Sequence, residues 1–504
     1  MAYFLGVDIG TGSTKAVAIN ETTNEILSVK QASYPTSHPA PLYSEQDPEQ
    51  IWSAFVQCIN STVTQLGHAP EAIGFSTAMH SVIPVDGKGQ PIGSMMTWAD
   101  GRSASIAQDL RKSEGAKQLY ESTGTPIHAM SPLCKIMWLR HHAPEIFTKA
   151  SKFISIKEYI WYRLFNSYQV DHSAASGSGL MDILERKWHR PSLALAGIHE
   201  ENLSDLVPTD YSRRDLPGNP QKILSLPAST LFVIGGGDGC LANLGSNAVT
   251  KGVACLTIGT SGAVRVASEA PHYDFQSMTF NYVLDSKTYI CGGPVNNGGL
   301  VLKWYVHDFL GKPVAHGEDY SDLLSQAANI PAGSEGLIFL PYLAGERAPI
   351  WDSRISGAFF GITVRHAQPH FTRAVVEGIS FALYQVAGAL QHASGKVTQI
   401  NASGGFVHSR EWLQILSDIF NTTICRNNTE DASSIGAALI AARTSRNLDY
   451  YPVFGDKQPP ETFRPDAANH ARYIKTFDVF KRLYQKTKDE MEILNQLSTG
   501  TKNQ

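Results

Sequence analysis

Apolar and polar positions follow two rhythms along this chain. Short runs such as YFLGVDI (3–9), KAVAI (15–19), VACLTI (253–258) and AVRVA (263–267) are strand-like, whereas RAVVEGISFALYQVAGAL (373–390), EWLQILSDIF (411–420) and SSIGAALIAARTS (433–445) carry apolar residues at helical spacing. Short strands interleaved with longer helices predict an α/β fold. The tail after about residue 462 is polar and helical and carries no motif.

One pattern occurs twice. An apolar strand runs into Ile9-Gly10-Thr11, then small polar residues, then a second apolar strand, and the same succession returns at Ile258-Gly259-Thr260, about half a chain later. Two related halves are expected, 1–245 and 246–504, with the break after GGGDG (235–239). No low-complexity or charge-block linker marks the break, so the halves are expected to pack closely around a cleft.

Composition narrows the classes. Among 504 residues, 42 Lys and Arg face 46 Asp and Glu, a net charge of −4. Without a basic excess, neither nucleic acid nor an anionic membrane surface is an expected partner. No stretch of 18 apolar residues predicts a membrane span, and MAYFLGVDIG lacks the pattern of a secretory leader. The six cysteines are scattered with no C-x-x-C pair, which predicts reduced thiols in a cytoplasmic protein and neither disulfides nor a zinc site.

The candidate chemistry sits at glycine-rich strand ends. In Asp8-Ile9-Gly10-Thr11-Gly12-Ser13-Thr14-Lys15, glycines let backbone N–H groups approach an anion, hydroxyls add donors and Lys15 adds charge. Asp8 at the strand end is placed to hold Mg²⁺, which takes few carboxylates beside phosphate oxygens. A plain hairpin turn explains G-T-G-S equally well. The second copy, Thr257 to Gly262, shifts the balance towards a phosphate chain clamped from both sides. LFVIGGGDG (231–239) presents the Asp238 carboxylate, either as a base for a hydroxyl attacking phosphorus or as the cap of a helix beginning at Cys240. NASGGFVHS (401–409) is a strand-to-helix turn suited to close approach of a base or ribose. Three first-half segments mix aromatic, polar and charged residues: Met79-His80, Trp98 to Ser103 with Asp100 and Arg102, and Thr125 to His128. Asp100 and Arg102 suit either a polyol or acid ligand, or a structural ion pair beside a core Trp. P-loop, dinucleotide, G-x-S-x-G and H-E-x-x-H patterns are absent.

DIGTGSTK, GGGDG, TIGTSG and SGGFVHS, in that order, resemble the FGGY carbohydrate kinases, and MSPLCKIMWLRHH (130–142) and GAFFGITVRHAQPHFTRAVVE (357–377) fit that family's two signatures. The resemblance implies two RNase H-like domains of the actin/Hsp70/sugar-kinase fold. It also implies ATP and Mg²⁺, with a small sugar or sugar acid as phosphoryl acceptor. Carried over position by position, Asp8 is the metal-proximal aspartate and Asp238 the catalytic base. Thr11, Gly12, Ser13 and Lys15 form the first phosphate loop, and Gly259 and Thr260 the second. Gly299, Gly405 and Ser409 line the nucleotide site, with Lys303 nearby. Met79, His80, Trp98, Asp100, Arg102 and His128 contact the sugar. FSTAMHSVI, TWADGRS, GTPIHAMSPL and GGPVNNGG are most similar to the gluconate-phosphorylating members; Met-His is shared with xylulose kinases. An acid substrate calls for a cation, for which Arg102, His128 and Lys135 are candidates. A ketose or polyol kinase, and a nucleotide switch without sugar turnover, are the alternatives. A homodimer is expected by family analogy.

Overall fold

The structure, a computed structural model, describes residues 2–313, 320–427, 431–453 and 460–500. The chain divides into two compact units, one made of Met1–Val249, Ala267–Cys291 and Asp431–Lys457, the other of Thr250–Val266, Gly292–Glu430 and Gln458–Gln504.

In the first unit the strand Tyr3–Ile9 pairs antiparallel with Ser13–Asn20, which pairs with Ile26–Ser33; on its other side it runs parallel to Ala72–Thr77, followed by Leu231–Gly237 and Ser212–Arg213. Strand side chains alternate between faces. Tyr3, Leu5, Val7 and Ile9 face a core with Phe55, Phe75, Trp161 and Phe232, in which Phe75 meets the other three rings at 5.4–6.0 Å. The helix Pro48–Leu66 covers this face. Its start is fixed by Pro48 and by Asp47 accepting from the Glu49 amide, its end by Gly67 in the left-handed region.

Phe4, Gly6 and Asp8 point to the opposite face. There the helices Asp238–Gly245 and Ala432–Ser445 pack at backbone contact: a Cβ on Gly6 would lie 1.7 Å from the Ser434 carbonyl, and one on Gly436 2.0 Å from the Leu241 carbonyl. This packing accompanies the grouping of the helix Ala432–Ser445 with the first unit. The helix expected at Cys240 begins at Asp238.

The second unit repeats the strand succession. Val253–Ile258 pairs antiparallel with Gly262–Ser268 and parallel with Gln399–Ser403; Thr423–Arg426 and Thr462–Phe463 follow. The long buried helix Gln368–Ala389 and the helix Arg410–Phe420 match the apolar runs read from sequence, and the polar tail is the helix Ala467–Gly500. Among the described residues, no helix is long and apolar enough to cross a membrane. All six cysteines are buried.

Candidate active site

The parallel strands Tyr3–Ile9, Ala72–Thr77 and Leu231–Gly237 end side by side. Register puts Asp8 opposite Ser76 and Gly236 opposite Ser76 from the other side. Asp8 therefore lies near the strand-to-helix junction that carries Asp238. The Ser76 hydroxyl donates to Asp8 at 2.6 Å. Burial and the negative charge of Asp238 push the Asp8 carboxyl up to about 7, against the pull of Ser76 and Lys15. Asp431 adds a third negative charge to this neighbourhood and forms an ion pair with Lys15.

Asp238 is the first residue of its helix rather than the cap, which is Gly237. Its Oδ1 accepts from the Gly239 amide at 2.7 Å. The approach to it is braced from within. The Gly237 amide donates to Ser173 Oγ at 3.0 Å, and Lys157, paired with Asp171 at 2.8 Å, donates to the Gly236 carbonyl at 2.8 Å.

Three carbonyls of the first glycine turn are engaged by the chain. Tyr34 donates its hydroxyl to Gly10 at 2.6 Å and its amide to Gly12 at 3.2 Å, and Gln46 donates to Thr11. A turn whose carbonyls are tied down does not present them to an anion. The turn's tip is exposed, and a Cβ on Gly12 would meet nothing within 4 Å. Trp98 Nε1 donates to Thr11 Oγ1 at 2.9 Å, joining this turn to the first-half polar segment.

That segment is itself internally paired. Asp100, 1% exposed, accepts from the Ser44 amide at 2.9 Å and from Arg102 through a two-pronged contact. Arg102 also reaches Glu45 at 2.8 Å and lies over the Tyr43 ring at 3.9 Å. These contacts brace the loop and pair the guanidinium with two carboxylates of the chain itself. His80 stands in the left-handed region at φ 68°. Its Nδ1 lies 2.8 Å from the Gly177 carbonyl, which can only accept, so in the neutral ring Nε2 accepts from the Tyr282 hydroxyl at 3.1 Å. Met79 packs against Gly237 and Gly177. His128 is half-buried, its Nδ1 accepting from the Met130 amide at 3.2 Å. Lys135 is fully buried and donates to two main-chain carbonyls.

In the second unit the strand ends of Val253–Ile258 and Gln399–Ser403 lie together, with Thr257 Oγ1 3.1 Å from Ser403 Oγ. The Gly299 and Leu300 amides donate to the Gly259 and Thr260 carbonyls at 2.7 and 3.1 Å. A Cβ on Gly298 would lie 2.6 Å from the Ser261 carbonyl carbon, so this approach needs glycine. Gly404, with φ 103° and Ile258 O 2.4 Å from its would-be Cβ, makes the turn; beside it Gly405 faces open space. The Ser409 hydroxyl caps the helix Arg410–Phe420 by accepting from Trp412 N. Lys303 is exposed on the short helix Gly299–Trp304.

Local sequence gave no signal for Tyr282, Gly177 or Gln46, and the motifs that contain Gly298 and Gly404 did not single those two glycines out. Nor did it reveal Glu346, whose buried carboxylate accepts from the Asn296 and Arg347 amides and from Asn297 Nδ2 just ahead of Gly298. Among the described residues no cluster of three or more His, Cys, Asp or Glu forms a metal cage. Mg²⁺ needs none, since it takes one or two carboxylates, waters and phosphate oxygens. Asp8, whose carboxyl burial and the Asp238 charge push up to about 7, would be stabilised as a carboxylate by such a cation, so the donor set fits.

Models of the FGGY family of carbohydrate kinases match residues 3–245 (N-terminal domain) and 254–445 (C-terminal domain). A gluconokinase of Bacillus subtilis (strain 168) is 40% identical over 465 residues, covering 90% of each chain. A xylulose kinase of Lactococcus lactis is 29% identical, covering 97% of this chain and 98% of the other. The crystal structure of a gluconate kinase from Lactobacillus acidophilus has a TM-score of 0.89 at 32% identity, covering 96% of this chain and 98% of that one. A ligand-bound xylulose kinase from the same organism reaches 0.90 at 32%, covering 97% and 99%. Paired glycine turns, an aspartate at each of two neighbouring strand ends and a fold repeated in two units thus accompany a match along most of the sequence: the chain belongs to the FGGY family of carbohydrate kinases.

Proposed function

We propose that this kinase transfers the γ-phosphoryl group of ATP to the terminal hydroxyl of D-gluconate, giving 6-phospho-D-gluconate, with Asp238 as general base. The observation that carries the substrate is the 40% identity to Bacillus gluconokinases over 90% of both chains, against 27–32% to xylulose kinases that match along nearly the whole chain. The position of Asp238 at a helix start beside Asp8 supports its role.

In the step proposed, Asp238 accepts the hydroxyl proton as the oxygen attacks the γ-phosphorus. An oxygen–phosphorus bond forms, the bond to the bridging oxygen breaks, and ADP leaves. Positioning and charge stabilisation supply most of the rate. Thr11, Gly12, Ser13 and Lys15, with Gly259 and Thr260, receive the phosphates. Gly299, Gly405 and Ser409 serve the nucleoside. Met79, His80, Trp98 and His128 serve the sugar, with Asp100 and Arg102 bracing their loop. Asp8 would hold Mg²⁺, which when bound offsets phosphate charge.

A xylulose kinase is the second reading, favoured by Met79-His80 and by the 0.90 TM-score to a solved xylulose kinase. The test is ADP release with ATP and Mg²⁺ on D-gluconate, D-xylulose, L-ribulose, glycerol and no sugar. Turnover with gluconate alone is the expected result. Turnover confined to a neutral sugar overturns the substrate, and sugar-independent turnover overturns the kinase reaction. Asp238→Asn is expected to lower kcat about a thousandfold with nucleotide affinity unchanged; near-normal turnover removes Asp238 as base.

A further inference from the structure

The helix Pro132–His142 starts with Ser131 accepting from the Cys134 amide and with Pro132 in its first turn, which sets Lys135 one turn in. The Lys135 side chain is 0% exposed. Its Nζ donates to the His80 carbonyl and to the Thr97 carbonyl, each at 2.6 Å. These carbonyls belong to two different loops, one carrying Met79-His80 and the other Trp98 to Arg102.

We propose that Lys135 is a positioning residue for sugar phosphorylation, its ammonium clamping the His80 and Thr97 carbonyls and so fixing both sugar-facing loops at once. The proposal rests on the reading that His80 and Trp98 serve the sugar.

Three further observations support it. His80 holds a backbone conformation that non-glycine residues rarely adopt, at φ 68°, and such a conformation persists only where its surroundings enforce it. The Lys135 bond to its carbonyl and the ring bonds to Gly177 and Tyr282 are that enforcement. Thr97 is held from its other side by Ser44 Oγ at 2.7 Å, and the next residue, Trp98, reaches Thr11. A shift at Thr97 would therefore travel along the loop to the indole.

The third observation is cost. Burial pushes the Lys135 ammonium down to about 7, with the Asp100 charge opposing and the Arg102 charge adding to that push. A buried ammonium bonded to carbonyls is harder to keep than an apolar residue of the same length. Only a multi-donor group can bridge two carbonyls, which explains its presence here. Lys135 lies too deep for the substrate-carboxylate contact considered from sequence.

The experiment is steady-state kinetics of Lys135→Met and Lys135→Arg, with His80→Ala alongside, on whichever sugar of the panel turns over. Melting curves accompany each variant. For Lys135→Met the expected result is a sugar KM raised about 30-fold or more, an ATP KM raised no more than about fivefold and a retained cooperative melt; Lys135→Arg recovers part of the loss. A sugar KM within threefold of the parent overturns the clamp. Sugar and ATP KM values that rise together with a collapsed melt also overturn it, by reducing Lys135 to a general structural role. His80→Ala separates the two failures. If it raises the sugar KM while Lys135→Met does not, the clamp alone is wrong; if neither does, the sugar-site reading falls and the clamp falls with it.

Discussion

The two glycine turns share a motif and differ in what holds them. Each follows an apolar strand ending in Ile-Gly-Thr, and each exposes a glycine, Gly12 or Gly259, over which a Cβ would meet nothing. The first is longer by one residue: Ile9 pairs with Thr14, with Gly10 N donating to Ser13 O, while Ile258 pairs with Gly262, with Gly259 N donating to Ser261 O. The first turn is held largely by side chains, Tyr34, Gln46 and Trp98, and the last of these lies in the loop proposed to serve the sugar. The second is held by main-chain amides at the start of the helix Gly299–Trp304. One sequence motif has two kinds of anchor. On the proposed reading, the first would tie phosphate binding to the sugar loops; the second depends on glycines that let backbone approach backbone.

The largest effect should come from breaking the second anchor. Gly298→Ala puts a Cβ where backbone atoms of Ser261 already stand, so helix start and turn must separate. A cost of about 2 kcal/mol corresponds to an ATP affinity lowered ~30-fold. Sugar affinity, measured separately by titration, should stay within about twofold, since no bond described for the sugar loops is disturbed. Equal losses for both ligands would erase the distinction between the anchors.

The second anchor should also respond to pH through Glu346. Burial pushes this carboxyl up to about 7 against its bonds to Asn297, Asn296 and Arg347. Its folded value lies above its ordinary one, so the protonated form favours the fold. That stability is fully present below about pH 4.5 and is lost as pH rises towards 7. Glu346→Gln removes this dependence, while Asp8, raised for similar reasons, contributes the same sign in both proteins. The melting-temperature difference between variant and parent should therefore shift by a few degrees in the variant's favour from pH 5 to pH 7.5. A constant difference would show that Glu346 does not titrate in this range.

The first anchor is tested by Trp98→Phe, which keeps the ring and deletes the donor to Thr11. A hydrogen bond is worth about 1 kcal/mol, or ~5-fold. Here the loss should fall on both substrates, raising the sugar and ATP KM values together. A change confined to ATP would mean that Thr11 and the sugar loop are uncoupled.

What sequence revealed here was local. A strand running into glycines and an aspartate is visible in eight residues, so both turns, Asp8 and Asp238 could be read directly. The repeat of Ile-Gly-Thr announced two related halves. Features made by distant segments were hidden. The helix over 433–445 was legible, yet its place in the first unit depends on Gly6 and Gly436 allowing backbone contact across the whole chain length. Tyr282 meets His80 from 202 residues away, and Lys135 looked like a ligand for a carboxylate until burial showed its acceptors to be carbonyls. Arg102 and Asp100 had two readings in sequence, and the contacts with Glu45 and Ser44, invisible there, show the structural pairing.

The smallest effect belongs to Gly405, where motif and backbone requirement part company. Of the neighbouring glycines, Gly404 carries the positive φ and the tight approach to Ile258, while Gly405 is exposed with open space around its would-be Cβ. Nothing in the fold demands glycine there, so Gly405→Ala should melt within about 1 °C of the parent. If the open space receives the adenosine, the added methyl lies against the ligand, and the ATP KM should rise about two- to threefold with kcat and the sugar KM unchanged. An unaltered ATP KM would move the nucleoside off this turn and leave Gly299 and the second hairpin as its contacts, which would make the amide anchor the whole of the second unit's share in nucleotide binding.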